Sequence, residues 1–137
     1  MEYSSKAGVR LAIENRCHYF EIPQPEELAQ LLEMFDDTVV GFLYDVGHAY
    51  TLESLGFCSQ EDWLGRFNER IIGAHLHDVI GLQDHYAPGM GVVDFKALAR
   101  RLPAQALRTC ELKPVNTLEQ IQAGLDVLAG AGCIRRL

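Results

Sequence analysis

Four polar residues of kinds that bind metal ions each lie at the end of a short apolar run. They are Glu14, Asp45, His75 and Glu111. A lone carboxylate after a strand is most often a helix cap, and a lone histidine there is most often structural. Four such residues at the ends of four successive runs instead indicate a shared site. Three carboxylates and one imidazole, without a thiolate, suit Mn²⁺, Mg²⁺, Co²⁺ or Zn²⁺.

The apolar runs are predicted to be parallel β-strands. They cover residues 9–14, 39–45, 71–77 and 107–112. Helical patterns lie between them, and this alternation is typical of βα units. The carboxyl ends of parallel strands lie at one edge of a sheet, where active sites form. Alternation along the second run also places Gly41, Leu43 and Asp45 on one face. We therefore expect the four candidate ligands to lie close together.

Four helices are expected around these strands. The first begins at Pro25, because proline and the acidic residues that follow favour a first helical turn. Its apolar stripe is Leu28, Leu31, Leu32 and Phe35. The others are expected over residues 60–68 with Ser59 as N-cap, from Asp94 to Arg101, and after Thr117.

The start of the chain resembles the end of a helix. Residues 2–7 fit its last turns, and Gly8 fits the left-handed residue that ends it. A closed (β/α) barrel needs eight βα units and about 250 residues, whereas this sequence contains four units. The prediction is a single α/β domain over residues 1–137 that forms half of such a barrel. Either the chain is a fragment, or half-barrels assemble.

Composition disfavours several classes of function. The net charge of the 137 residues is −7, which disfavours binding to nucleic acid and to anionic membranes. The sequence has no stretch suited to crossing a bilayer and no signal-peptide pattern at its start. The spacings of the four cysteines match no zinc motif, so reduced thiols in a cytoplasmic protein are expected.

Two further histidines follow the strands. His48 lies three residues after Asp45, where a turn can return it to the site. His85 lies in a segment rich in glycine and proline that can fold over a strand end. His85 is a candidate to contact substrate or a second metal, and the alternative is a loop histidine exposed to solvent.

Five segments, in this order and spacing, resemble the xylose isomerase-like, apurinic-endonuclease-type TIM-barrel superfamily. They are LAIENR, LYDVGHAY, AHLHD, DHYAPGMGVVDF and CELKP. The resemblance is strongest to its sugar phosphate isomerase/epimerase branch, and it spans strands five to eight of that barrel. It implies Glu14, Asp45, His75 and Glu111 as metal ligands. It also implies that His48 binds substrate or a second metal.

The resemblance implies proton transfer beside a carbonyl through a metal-stabilised enediolate. Glu14 and Glu111 are the candidates to remove and return the proton. Lys113 is a candidate to steady an oxyanion, with a surface ion pair as the alternative. Arg16 and His18 are candidates to bind a substrate phosphate or carboxylate, with solvated loop residues as the alternative. The implied substrate is a small sugar or polyol.

The sequence departs from the nuclease members of this superfamily. Those members use a DxH pair in the seventh loop, whereas here Gln83 stands two residues before His85 and the acid is Asp84. The first half of the barrel, which supplies further ligands or substrate contacts, is absent. An abasic-site endonuclease is therefore disfavoured. The remaining alternatives are an isomerase or epimerase completed by a homodimer or an N-terminal half-barrel, and a non-catalytic remnant or partner subunit that keeps the metal site.

Overall fold

The computed structural model describes residues 2–135, with six helices and six strands between these limits. The helices are α1 (Glu2–Ala7), α2 (Pro25–Glu33), α3 (Val46–Ser54), α4 (Gln60–Phe67), α5 (Phe95–Arg101) and α6 (Leu118–Ala131). The strands are β1 (Leu11–Glu14), β2 (Val40–Asp45), β3 (Ile71–His75), β4 (Asp78–Ile80), β5 (Gln83–Tyr86) and β6 (Leu107–Thr109). A 3₁₀ turn over Asn68–Arg70 joins α4 to β3.

Four of the strands form one parallel sheet in the order β1-β2-β3-β6. Helices alternate with these strands, so the predicted α/β, partial TIM-barrel fold is confirmed. The register pairs Asp45 with His75, and His75 with Thr109. The carboxyl ends of the strands therefore meet at one edge of the sheet.

One face of the sheet carries the main core. Phe42 and Tyr44 of β2 are fully buried there, and Trp63 of α4 stacks on Phe42 with ring centroids 6.0 Å apart. Apart from Leu43, the opposite face carries small or polar side chains, and it is only partly covered. Ala12 is exposed there and Leu43 is half-buried. Within the described residues β1 and β6 each pair with a single strand, so both edges of the sheet are open.

The predicted helix starts agree with the structure. Asp94 and Thr117 cap α5 and α6 through side-chain hydrogen bonds to backbone N–H groups, and Ser59 forms a capping box with Asp62. Gly8 has the expected positive φ of 65°. No helix between residues 2 and 135 is long and apolar enough to cross a membrane.

The predicted strands are too long at their ends. Val9 donates its N–H to Ser4, and Val39 donates to Asp36, so both residues belong to turns. The third strand ends at His75 instead of residue 77. The fourth ends at Thr109, because β3 ends beside it and leaves no ladder partner. Glu111 therefore lies two residues beyond its strand.

Three elements were absent from the prediction: helix α3 and strands β4 and β5. Helix α3 begins directly after β2, with Asp45 serving as its N-cap. It is buried on most of its surface, so its sequence lacks the apolar stripe of an amphipathic helix. Strands β4 and β5 form a separate antiparallel hairpin after β3. That hairpin turns at Gly81, whose φ is 64°.

The buried carboxylate of Asp78 fixes the loop that follows this hairpin. It accepts hydrogen bonds from the backbone N–H groups of Val79 (2.9 Å), Gly89 (2.8 Å) and Val93 (3.0 Å). The loop passes so closely that a Cβ on Gly91 would lie 2.1 Å from the Val79 carbonyl oxygen. One side chain thus ties the loop to the start of β4.

Asp78→Ala should lower the free energy of unfolding by about 2–3 kcal/mol, because the backbone donors lose their acceptor. Urea denaturation followed by circular dichroism measures the change. The control is Asp37→Ala, at an exposed position, which should stay within about 0.5 kcal/mol of the parent. Equal effects of the two substitutions would contradict the assignment of Asp78 as the anchor of the loop.

Candidate metal centre

The structure brings the four candidate ligands together. One potential ligand atom from each of Glu14, Asp45, His75 and Glu111 lies within 4.8 Å of the others. Nδ1 of His75 is central to the group. It lies 2.8 Å from Glu111 Oε2, 3.3 Å from Glu14 Oε1 and 3.5 Å from Asp45 Oδ2. Strands β1, β2 and β3 each end on one member, and the segment after β6 supplies the fourth.

These separations fit a divalent cation. Ligands about 2.0–2.2 Å from a metal, at tetrahedral or octahedral angles, are about 3–3.5 Å from one another. Nδ1 of His75 is also buried. It lies at ion-pair distance from Glu111, but within the described residues none of its contacts has the geometry of a hydrogen bond. Buried polar atoms are rarely left unpaired. A cation among the carboxylate oxygens would satisfy this nitrogen, so the residues present fit a metal.

Asp45 is the most buried of the four, and its neighbours fix its position. The Asn15 side chain bridges the Asp45 backbone, donating to its carbonyl oxygen at 2.9 Å and accepting from its N–H at 2.8 Å. Asp45 Oδ1 also accepts from the backbone N–H of His48 at 2.8 Å. The end of β2 is thus joined to the segment after β1 and to the first turn of α3.

His77 holds the Asp45 carboxylate from the opposite side. Its Nδ1 accepts the backbone N–H of His85 at 2.9 Å, so Nε2 carries the proton. Nε2 then donates to both Asp45 oxygens at 3.0 Å. His77 is fully buried, and a Cβ on Gly47 would lie only 2.1 Å from its Cε1. His77 is therefore a positioning residue that requires glycine at position 47.

Charge explains how a buried carboxylate is tolerated here. Burial opposes ionisation of Asp45, but the imidazoles of His75 and His77 outweigh it and hold the pKa of Asp45 below its usual value. In return, the Asp45 carboxylate raises the pKa of His75, against the effect of burial, and Glu111 and Glu14 add to this. A metal ion and a proton would compete for Nδ1 of His75, because only the neutral imidazole can bind a metal.

His85 stands beside the cluster and stacks on His77, with ring centroids 4.1 Å apart. Its Nε2 lies 3.4 Å from Glu111 Oε2, and its Nδ1 lies 2.8 Å from Asp84 Oδ1. The backbone of His85 has a φ of 63°, which is uncommon outside glycine, and this conformation sets the direction in which the side chain leaves the hairpin. His85 is therefore half-buried at the site rather than exposed to solvent.

Lys113 lies on the same side as His85. Its Nζ donates to Asp84 Oδ1 at 2.9 Å, so it forms the ion pair that the sequence left as an alternative. Burial opposes ionisation of Asp84, but Lys113 and His85 outweigh it and lower the pKa of Asp84 to about 2. Asp84 Oδ2 lies 3.8 Å from His48 Nε2. These residues form a second polar group beside the four-residue cluster.

The loop after β1 carries the remaining candidates. Arg16 lies between two carboxylates, 3.7 Å from Glu14 Oε2 and 3.5 Å from Glu21 Oε1. His18 is exposed, and its Nδ1 lies 2.9 Å from Glu21. Burial raises the pKa of the neighbouring Cys17 thiol, and Glu21 and Asp84 add to this. Arg16 thus reaches the edge of the cluster, whereas His18 does not.

Sequence reasoning missed three residues that support the site. Asn15, His77 and Asp78 are all buried polar residues. Asn15 directly follows β1, His77 lies two residues after β3, and Asp78 begins β4. Two signals pointed to them: Asn15 directly follows Glu14, and His77 follows His75 at a spacing of two. Neither signal reveals the partner, because the contacts to Asp45 cross between segments 30 and 32 residues apart.

Comparison with known proteins agrees with this architecture. The family model described as "Xylose isomerase-like TIM barrel" matches residues 1–131. A curated relative, the uncharacterized protein y4fM of Sinorhizobium fredii (strain NBRC 101917 / NGR234), is 32% identical over 82 residues. The matched region covers 59% of this chain and 25% of that relative, so the match spans about a quarter of the relative's length. No solved structure matches. The chain belongs to the xylose isomerase-like TIM-barrel family.

Proposed function

We propose that this chain carries the metal-binding half of the active site of a divalent-metal-dependent isomerase or epimerase of small sugars or sugar phosphates. The observation that supports this is the convergence of three carboxylates on the buried Nδ1 of His75, which makes no hydrogen bond of good geometry within the described residues. The residues that would hold the metal are Glu14, Asp45, His75 and Glu111. This oxygen-rich set suits Mn²⁺, Mg²⁺, Co²⁺ or Zn²⁺.

A bound cation would polarise a substrate carbonyl and stabilise negative charge on its oxygen. The chain's own part is to move the proton. Glu14 ends β1 and Glu111 lies in the segment after β6, at opposite edges of the sheet, and both approach His75. We assign one to remove a carbon-bound proton and the other to return it, to the opposite face or to the neighbouring carbon. Both side chains are partly exposed, at 24% and 48%, so substrate can reach them.

Charged and imidazole groups around the cluster would orient the substrate. Lys113 and His85 lie on the side of Glu111, and Arg16 lies on the side of Glu14. Lys113 and Arg16 are each about two-fifths exposed, so a phosphate or hydroxyl groups could reach their cationic heads, which here contact carboxylates. We assign these three residues to substrate binding.

The catalytic unit would need more strands than the described residues provide. Both edges of the four-stranded sheet are open, and Ala12 and Leu43 lie on its partly covered face. An eight-stranded barrel would close these edges, with strands from a second copy or from an N-terminal half-barrel. Four free thiols support a location in the reducing cytoplasm.

Proton transfer beside a carbonyl predicts exchange with solvent. Metal-loaded protein in D₂O should incorporate deuterium at the carbon next to the carbonyl of at least one member of a panel of ketoses, aldoses and their phosphates, as followed by NMR. Glu14→Gln should abolish this exchange, because the amide cannot accept the proton. Glu33→Gln, an exposed position at the end of α2, is the matched control and should retain it. The assay uses metal-loaded protein whose barrel is closed by a second copy or by an N-terminal half-barrel. Absence of exchange in that assembly would contradict catalysis and support a non-catalytic metal-binding role.

Glu111→Gln should weaken binding of Mn²⁺ by about 10-fold or more, since it removes one charged ligand while keeping the size of the side chain. The fold should remain intact, and the metal-free protein should gain rather than lose stability as repulsion between carboxylates falls. Isothermal titration calorimetry and thermal denaturation measure the two effects, with Glu33→Gln as the control. A variant that unfolds but binds Mn²⁺ normally in its folded fraction would show that Glu111 is structural.

His77→Phe tests the positioning of Asp45. An aromatic ring is kept, but the N–H donor to the buried carboxylate is lost. The free energy of unfolding should therefore fall by about 3 kcal/mol. Mn²⁺ affinity should fall by about 10–100-fold, as is usual when a group that orients a ligand is removed. His18→Phe, at an exposed histidine, should change neither quantity. Unchanged Mn²⁺ affinity in folded His77→Phe protein would show that His77 supports only the fold.

A further inference from the structure

A group of ligand-bearing side chains lies in the loop that follows β1, outside the cluster around His75. One potential ligand atom from each of Cys17, His18 and Glu21 lies within 4.8 Å of the other two. The three residues are close in sequence, so this single loop provides all of them. We propose that the loop is a separate Zn²⁺ site with one thiolate, one imidazole and one carboxylate ligand.

The distances within this group are close to those around a tetrahedral zinc ion. Nδ1 of His18 lies 3.1 Å from Cys17 Sγ and 2.9 Å from Glu21 Oε2, and the sulfur and the oxygen are 3.9 Å apart. Zinc binds sulfur at about 2.3 Å and nitrogen or oxygen at about 2.0–2.2 Å, so tetrahedral ligands lie about 3.4–3.6 Å from one another. Each separation is within about 0.5 Å of this range, and small rotations of the three side chains can remove the difference.

A cation would satisfy these three atoms better than hydrogen bonds alone can. Nδ1 of His18 approaches both the thiol of Cys17 and the carboxylate of Glu21. This nitrogen has either one proton or one lone pair, so it can be well aligned with only one of the two partners. The thiol lies 3.9 Å from the carboxylate, which is long for a hydrogen bond. A cation placed between the three atoms would contact all of them at once.

Hydrogen bonds hold the loop in the shape that this site requires. The Gln24 side chain donates to the backbone carbonyl oxygens of His18 at 3.2 Å and of Glu21 at 2.8 Å. Glu21 donates its backbone N–H to the His18 carbonyl oxygen at 3.0 Å, which closes the turn. The His18 ring stacks on Phe20 with ring centroids 5.2 Å apart, and this contact restricts its orientation. Binding would therefore require little further ordering of the loop.

Cys17 determines the choice of metal. Thiolate, imidazole and carboxylate together suit Zn²⁺, whereas Mn²⁺ and Mg²⁺ prefer oxygen ligands. As the cation binds, the Cys17 thiol would release its proton to solvent and a bond between sulfur and zinc would form. His18 would bind through Nδ1 and keep its proton on Nε2. Since His18 is exposed, water can reach the fourth position on the cation.

Occupation of this site would act on the cluster around His75 through Arg16. The Arg16 guanidinium lies 3.5 Å from Glu21 Oε1 and 3.7 Å from Glu14 Oε2. A cation on the other oxygen of Glu21 would compete with Arg16 for the charge of that carboxylate. The proposed zinc site does not rest on the proposed isomerase activity, because none of its ligands belongs to the cluster around His75.

Titration of metal-free, reduced protein with Co²⁺ under anaerobic conditions tests the proposal. One bound equivalent should give the near-ultraviolet charge-transfer absorption of a thiolate bound to Co²⁺. Zn²⁺ should displace this ion and remove the absorption band, whereas an equal concentration of Mn²⁺ should not. Cys17→Ser should abolish the band. His18→Phe and Glu21→Gln should each weaken the Co²⁺ binding that produces it by about 10-fold or more.

Control variants separate this site from the other thiols and from the first metal site. Cys58→Ser changes another half-buried thiol and should keep the band. Glu111→Gln should weaken Mn²⁺ binding while the band remains, and His18→Phe should keep Mn²⁺ binding while the band weakens. Wild-type protein that binds Co²⁺ without the band, or unchanged band-producing affinity in folded His18→Phe and Glu21→Gln protein, would overturn the proposal. Failure of the wild type to bind Mn²⁺, with the band present, would contradict only the proposed function.

Discussion

The carboxylate of Asp45 is a charged group removed from water, and it must be compensated on every side. Asn15 bridges its backbone, His77 donates to both of its oxygens, and the backbone N–H of His48 caps it from α3. Each of these contacts reaches a different segment of the chain. The need to compensate one buried charge therefore fixes the relative positions of β1, β2, α3 and the segment after β3. The cluster around His75 is assembled on this framework.

Local sequence patterns were sufficient to predict the helices and strands that have a regular hydrophobic period or recognisable capping residues. Amphipathic helices with Ser59, Asp94 or Thr117 at their starts were located correctly, and so were four parallel strands. Helix α3 was missed because it is buried on most of its surface and carries no polar stripe. The strand ends were misjudged because apolar residues such as Val9 bond to turns instead of the ladder, which their identity does not reveal.

The candidate site likewise has one part that the sequence predicts and another part that it does not. Residues at strand ends can be located by counting along the sequence, since parallel strands deliver their carboxyl ends to one edge. The supporting contacts depend on the tautomer of a ring and on which oxygen of a carboxylate is free. Asp84 illustrates this, because one oxygen meets Lys113 while the other faces His48. The sequence does not show which partner each carboxylate oxygen contacts, because that depends on the folded structure.

The contact between Gly47 and His77 limits how the protein can change over evolutionary time. A methyl group at position 47 would occupy the space of the imidazole ring, so mutation at that position is blocked while His77 is present. A smaller residue at position 77 would remove the block, but it would also leave Asp45 without its donor. Substitutions at positions 47 and 77 are therefore expected to occur together or not at all. A lineage that gave up the metal centre would be released from both constraints at once.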